Sequence, residues 1–129
     1  MVKHVLRNNP AVLLIALVSF GQNAAAQVVY DNGTVNNRAT LIDDNVEVKD
    51  SSGGTPTTLN IQAGGSVGDW IVGVVDASIV NVDGSDVEGF IELFDSGSAS
   101  VVSGFARQGI LALDSSTVSI SGGTVGNTA

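Results

Sequence analysis

From residue 31 onward the apolar positions return on a fixed step. Val80, Ala99 and Val118 are 19 apart, as are Val82, Val101 and Ile120. Val87, Ala106 and Val125 keep the step, and so do Ile91 with Ile110 and Leu93 with Ala112. A column of small residues, Ser85, Gly104 and Gly123, runs alongside a column of acids, Asp76, Asp95 and Asp114. Upstream, the run Asp31-Asn32-Gly33-Thr34-Val35 matches Asp114 to Val118 in spacing. That predicts a unit from Asp31 to Asp50, with Val35 in the column of Val80. Asp50 to Asp76 is a step of 26, one unit with seven extra residues. About five of these fit the turn formers of Ser52–Thr57, and the other two fall near Ala63 and Val74-Val75.

Within each unit apolar and polar residues alternate. Val80 and Val82 flank Asn81, Ile91 and Leu93 flank Glu92, and Val118 and Ile120 flank Ser119. A period of two means short strands with one buried face. A unit holds two such strands and one isolated apolar position, Val87, Ala106 or Val125. Strands this short cannot bury themselves. Stacking unit on unit buries them, because equivalent side chains then meet about 4.8 Å apart. The expectation is an all-β chain, a parallel β-helix solenoid of 19-residue coils with three short faces and corners of Gly, Ser, Asn and Asp. A β-sandwich has no reason to keep a fixed step. A left-handed hexapeptide coil would show a six-residue sub-period that is absent, so the right-handed form is favoured. The Leu/Asn signature of leucine-rich units is also missing.

The first 26 residues follow a different pattern. Lys3, His4 and Arg7 precede an apolar run from Ala11 to Phe20, and Ala24 and Ala26 supply small residues for a cut before Gln27. This reads as a signal peptide helix over 1–26. The apolar run is about half of what a membrane span needs, so no span is expected in the mature chain. Two domains result: the signal peptide, and a β-helix repeat domain over 27–129 of about four and a half coils. The last unit stops in mid-coil at Ala129, so a repeat array incomplete at its C-terminal end is expected, with end-to-end self-association through that open coil as the alternative.

Composition narrows the function. The leader takes two of the five bases and the only His, leaving 3 bases against 13 acids over 27–129, a net charge of −10. That repels nucleic acid, whose binding needs a basic footprint. His-based triads are excluded from the mature chain, and with no Cys there is no disulfide framework or thiolate chemistry.

The units D-S-S-T-V-S-I-S-G-G-T-V-G from Asp114 and D-A-S-I-V-N-V-D-G-S-D-V-E-G from Asp76 resemble repeats of exported bacterial β-helix proteins, such as the passenger regions of autotransporter adhesins. The resemblance is one of pattern and covers roughly 31–129. It implies a secreted or cell-surface, structural or adhesive protein without catalysis, displayed outside the cell or at an outer membrane. The chain departs from that pattern in showing no translocator barrel and no anchoring tail.

Three features could carry chemistry. Stacked Asp carboxylates about 5 Å apart repel by roughly 3 kcal/mol at an effective dielectric near 20, so something must offset them. The expected device is an Asx-turn in which each Asp bonds the N–H groups of its own corner. The alternative is Ca²⁺ held between coils by Asp76, Asp95 and Asp114, although the calcium nonapeptide G-G-x-G-x-D is absent; otherwise no cofactor is expected. Second, Trp70 and Phe90 fall in equivalent slots on neighbouring coils, beside Asp69 and Glu88. Aromatic faces with carboxylates suit an extracellular glycan, against the plainer reading that the two rings cap the core or cover the inserted loop; a cell-surface protein is the other partner expected. Third, Asp83, Asp86 and Glu88 could pair as acid and base in a polysaccharide-cleaving enzyme, the alternative to the non-catalytic reading. Acids this common on an acidic surface ordinarily serve solubility. Gly64-Gly65 and Gly122-Gly123 precede no Lys or helix and read as corners, not phosphate loops.

Overall fold

A computed structural model describes residues 27–126. The leader predicted over 1–26 and the predicted inward position of Ala129 lie outside the described residues. The described chain is all-β and winds as a parallel β-solenoid. One sheet takes a strand from each coil: β1 (Gln27–Tyr30), β4 (Asn45–Val48), β7 (Ile71–Val74), β9 (Phe90–Leu93) and β11 (Gly109–Ala112), which makes five coils. The second sheet runs β2 (Val35–Arg38), β5 (Thr58–Ile61), β8 (Ile79–Val87), β10 (Ser98–Ala106) and β12 (Thr117–Ile120). A third, shorter face joins it, made by β3 (Leu41–Ile42), β6 (Ser66–Val67), the ends of β8 and β10, and β13 (Thr124–Val125).

The predicted columns are the observed register. Val80 pairs with Ala99 and Ala99 with Val118; Val82 pairs with Val101 and Val101 with Ile120. Val87, Ala106 and Val125 line up on the third face, and Ile91 with Ile110 and Leu93 with Ala112 on the first. These side chains fill the interior of the coil, where Val80, Val82, Val87, Ile91, Leu93 and Val101 are fully buried. Parallel strands covered only on one face keep the alternation visible in the sequence. In the last described coil the inward row is half-open, and Ile120 is 54% exposed.

The seven extra residues between Asp50 and Asp76 are accommodated close to where the sequence puts them. Five lie in the loop after Asp50, before Leu59 enters the row of Val80. One lies between Ile61 and Val67, which pair with Val82 and Val87. One is a bulge in β7, where Val72 pairs with Glu92 but Val74 with Leu93. In coils three and four, β8 and β10 pass through the corner unbroken. Gly84 and Val102 are each skipped in the pairing, and the two slips cancel, preserving the step of 19.

The first coil departs from the prediction by one residue. Val35 pairs with Thr58, which pairs with Ile79, so Val35 faces outward at 62% exposure and Asn36 takes the row of Val80. Tyr30 pairs with Val48, a step of 18, so Asp31 stands level with Lys49 and not with Asp50. The physical reason lies at the end of the described stack, where the inward row has no described coil beneath it and polar groups are tolerated. Asn36 there bonds Asn32 and the Thr34 and Thr58 carbonyls. Arg38, level with Ile61 and Val82, lies 5.4 Å over the Tyr30 ring and donates to its hydroxyl at 2.7 Å. Such polar closure is what a terminal repeat requires.

Candidate functional site

The Asp column is real from Asp50 onward, but its bonding differs from the predicted Asx-turns. Asp76, Asp95 and Asp114 sit in the left-handed region, with φ of 60, 53 and 56°. The carboxylates of Asp95 and Asp114 reach the preceding coil and not their own corner. Asp95 Oδ2 accepts from the Asp76 N–H at 3.4 Å, and Asp114 Oδ2 from the Asp95 N–H at 3.3 Å. Asp50 Oδ1 accepts from the Ala77 N–H and the buried Ser78 hydroxyl, each at 3.2 Å. The left-handed corner turns each Asp N–H toward the next coil, and the carboxylate above meets it. These bonds offset the repulsion between stacked charges. Among the described residues no three His, Cys, Asp or Glu side chains converge as a metal site.

The structure brings Trp70 and Phe90 together, as the spacing predicts. The Trp70 carbonyl accepts from Val46, and Phe90 pairs with Gly109, so Asn45, Trp70, Phe90 and Gly109 form one outward column. The rings meet edge to face, centroids 5.4 Å apart and planes at 73°. Trp70 owes its position to a glycine: a Cβ on Gly89 would collide with the indole and with the Trp70 backbone, so the ring lies across the bare corner of the next coil. Trp70 stays 38% exposed, and Phe90 is half-buried beside it. Asp69 Oδ1 accepts from the Trp70 N–H at 3.1 Å, and Glu88 lies at the same corner, one coil on.

The acids read as a catalytic pair are otherwise engaged. Arg107 clasps Asp86 through Nε, at 2.8 and 3.0 Å to its two oxygens, and through Nη2. Glu88 stands 3.4 Å from the same Nε, and the guanidinium lies 5.0 Å over Phe105. The hydrogen bond that Arg107 donates to Asp86, then the Asp86 charge, raises the Arg107 pKa further above its ordinary value. Asp83 accepts from the Ser103 hydroxyl at 3.0 Å.

Two features escape the sequence reading. Asn37, Asn60 and Asn81 form an outward amide ladder, each link 2.8 Å long. Their spacings of 23 and 21 hide the alignment because insertions lie between them. An open depression of about 270 Å³ lies at the N-terminal end of the described stack, between Tyr30, Arg38, Leu41 and Asp43. Comparison with protein families, curated proteins and solved structures finds no match to this chain.

Proposed function

We propose that the chain is an exported, non-catalytic surface protein whose solenoid forms a cohesive body with an adhesive flank. One contrast on the outer surface carries this reading. Regularly placed acids and amides are spent on bonds between coils, whereas the Trp70 indole stays exposed with Phe90 half-buried against it. Exposed aromatic surface gains free energy when another molecule covers it. The partner that suits this corner is an extracellular glycan, with a cell-surface protein as the other class. The leader pattern over 1–26 supports export, and the net charge of −10 over 27–129 speaks against nucleic acid.

A second reading, a carbohydrate-cleaving coil, draws on the acids Asp69, Asp86 and Glu88 around the same aromatic pair. Its weakness is the commitment of Asp86 to Arg107. A glycan array combined with a reducing-sugar assay on the secreted protein separates the two. Binding lost in Trp70→Ala, with unchanged melting and no new reducing ends, supports the adhesive reading. Release of reducing ends would establish the enzyme instead. Binding that survives Trp70→Ala would move the contact surface elsewhere.

A further inference from the structure

The surroundings of the Trp70–Phe90 corner restrict the charge of its ligand. Two adjacent coils each contribute one ring. Acids line the corner that leads into them on three successive coils. Asp69 adjoins Trp70, and Asp43 lies one coil before, against Gly68. Glu88, 54% exposed at its side chain, lies one coil after. The base at this corner is Arg107, and Asp86, Glu88 and the Phe105 face already hold it. A sulfate, phosphate or uronate on a ligand would therefore meet carboxylates and no uncommitted base among these residues. Ionised carboxylates accept hydrogen bonds and donate none, so they select hydroxyl and ammonium groups. The C–H face of a sugar packs on the rings. An ammonium group gains from the carboxylates and from the π face of Trp70 alike.

Resting on the reading of this corner as a glycan contact, we infer that its ligand is a glycan without acidic groups, and that free amines on the sugar strengthen binding. Three hexasaccharides of one β-1,4 backbone test this: the neutral glucan, the glucosamine form and the glucuronic acid form. Trp70 is the one tryptophan of the chain, so its emission reports binding at the site directly, and calorimetry serves for Trp70→Ala. The amine form is expected to bind tightest and to weaken with added salt. The acidic form is expected to bind roughly tenfold more weakly than the neutral one. That gap should close in Asp69→Asn/Glu88→Gln, a variant that leaves the aromatic pair intact. An acidic form that binds as tightly as the neutral one, while Trp70→Ala abolishes both, overturns the charge inference and leaves the site standing. Binding of all three unchanged in Trp70→Ala, or of none, overturns the inference together with the glycan reading beneath it.

Discussion

A left-handed backbone and a reaching carboxylate coincide at Asp76, Asp95 and Asp114, and each can be varied separately. Asp and Asn are the side chains that best tolerate φ near 55°. Asp95→Asn keeps both the backbone preference and the acceptor for the Asp76 N–H while removing one charge from the stack. Its melting temperature is expected to equal or exceed that of the wild type. Asp95→Ala loses the acceptor and strains the corner, a cost of about 1–2 kcal/mol. Calorimetry of the two variants checks this, and equal melting would show that the side chain has no bonding role. The calcium alternative makes a different demand: millimolar Ca²⁺ must raise the melting temperature of the wild type and not of Asp95→Asn. Bonding between coils alone leaves both unmoved. Gly104 poses the complementary case. Its φ is 94°, and a Cβ there would collide with the Ser85 backbone. Gly104→Ala is expected to cost about 2 kcal/mol or more. Gly53→Ala, in an open loop with φ in the ordinary range and only Ser51 Oγ nearby at 3.9 Å, should melt like the wild type.

For a strand, the decisive quantity is whether a coil lies on both sides of it. Val101 in β10 is fully buried, sandwiched in register between Val82 and Ile120. Val101→Asp buries a carboxylate without a partner, which costs several kcal/mol out of a total on the order of 5–15, and folding is expected to be lost. Ile120→Asp, one coil on at the same row but 54% exposed, should lower stability by about 1 kcal/mol. Ser115→Ala, exposed at a corner, should change little. Far-UV circular dichroism during denaturant titration orders the three, and near-wild-type melting of Val101→Asp would contradict the inward assignment. The same logic explains how much of the fold was legible in the chain. From Asp76 onward the units have equal length, so Val80, Ala99 and Val118 announce their stacking directly. The first coil misleads because Asp31 to Val35 imitates Asp114 to Val118. Only the pairing of Asn36 with Leu59 and the outward turn of Val35 show that the imitation is one residue out of phase. At the candidate site, spacing placed Trp70 beside Phe90, but the exposure of the indole depends on the bare backbone of Gly89, a contact between residues 19 apart that no local pattern displays. The Arg107 clasp on Asp86 was equally hidden, because it joins positions that occupy different slots of the repeat.

Across the whole molecule, stability is a contest between cohesion of the stack and repulsion of its charge. Cohesion is built from apolar rows, parallel hydrogen bonding and the Asn ladder, none of which depends on ionic strength. Repulsion comes from 13 acids against 3 bases over 27–129, repeated from coil to coil so that like charges stand over one another. The attractive ion pairs among the described residues, Lys49 with Glu47 and Arg107 with Asp86 and Glu88, are all partly exposed, so solvent screens each of them and they contribute little. Screening therefore removes more repulsion than attraction. The melting temperature is expected to rise steadily as sodium chloride is increased from low to near-molar concentration, against the fall expected of a protein held by surface ion pairs. Arg107→Ala should leave the slope of that rise nearly unchanged, since the pair it breaks is minor beside the net charge. Adding bases tests the same balance from the other side. Ser119→Lys and Thr117→Lys, both outward on β12 and exposed, should raise stability at low salt and flatten the salt dependence. A melting temperature that falls with salt in the wild type would mean that specific ion pairs, and not the stacked aliphatic rows, hold the coils together.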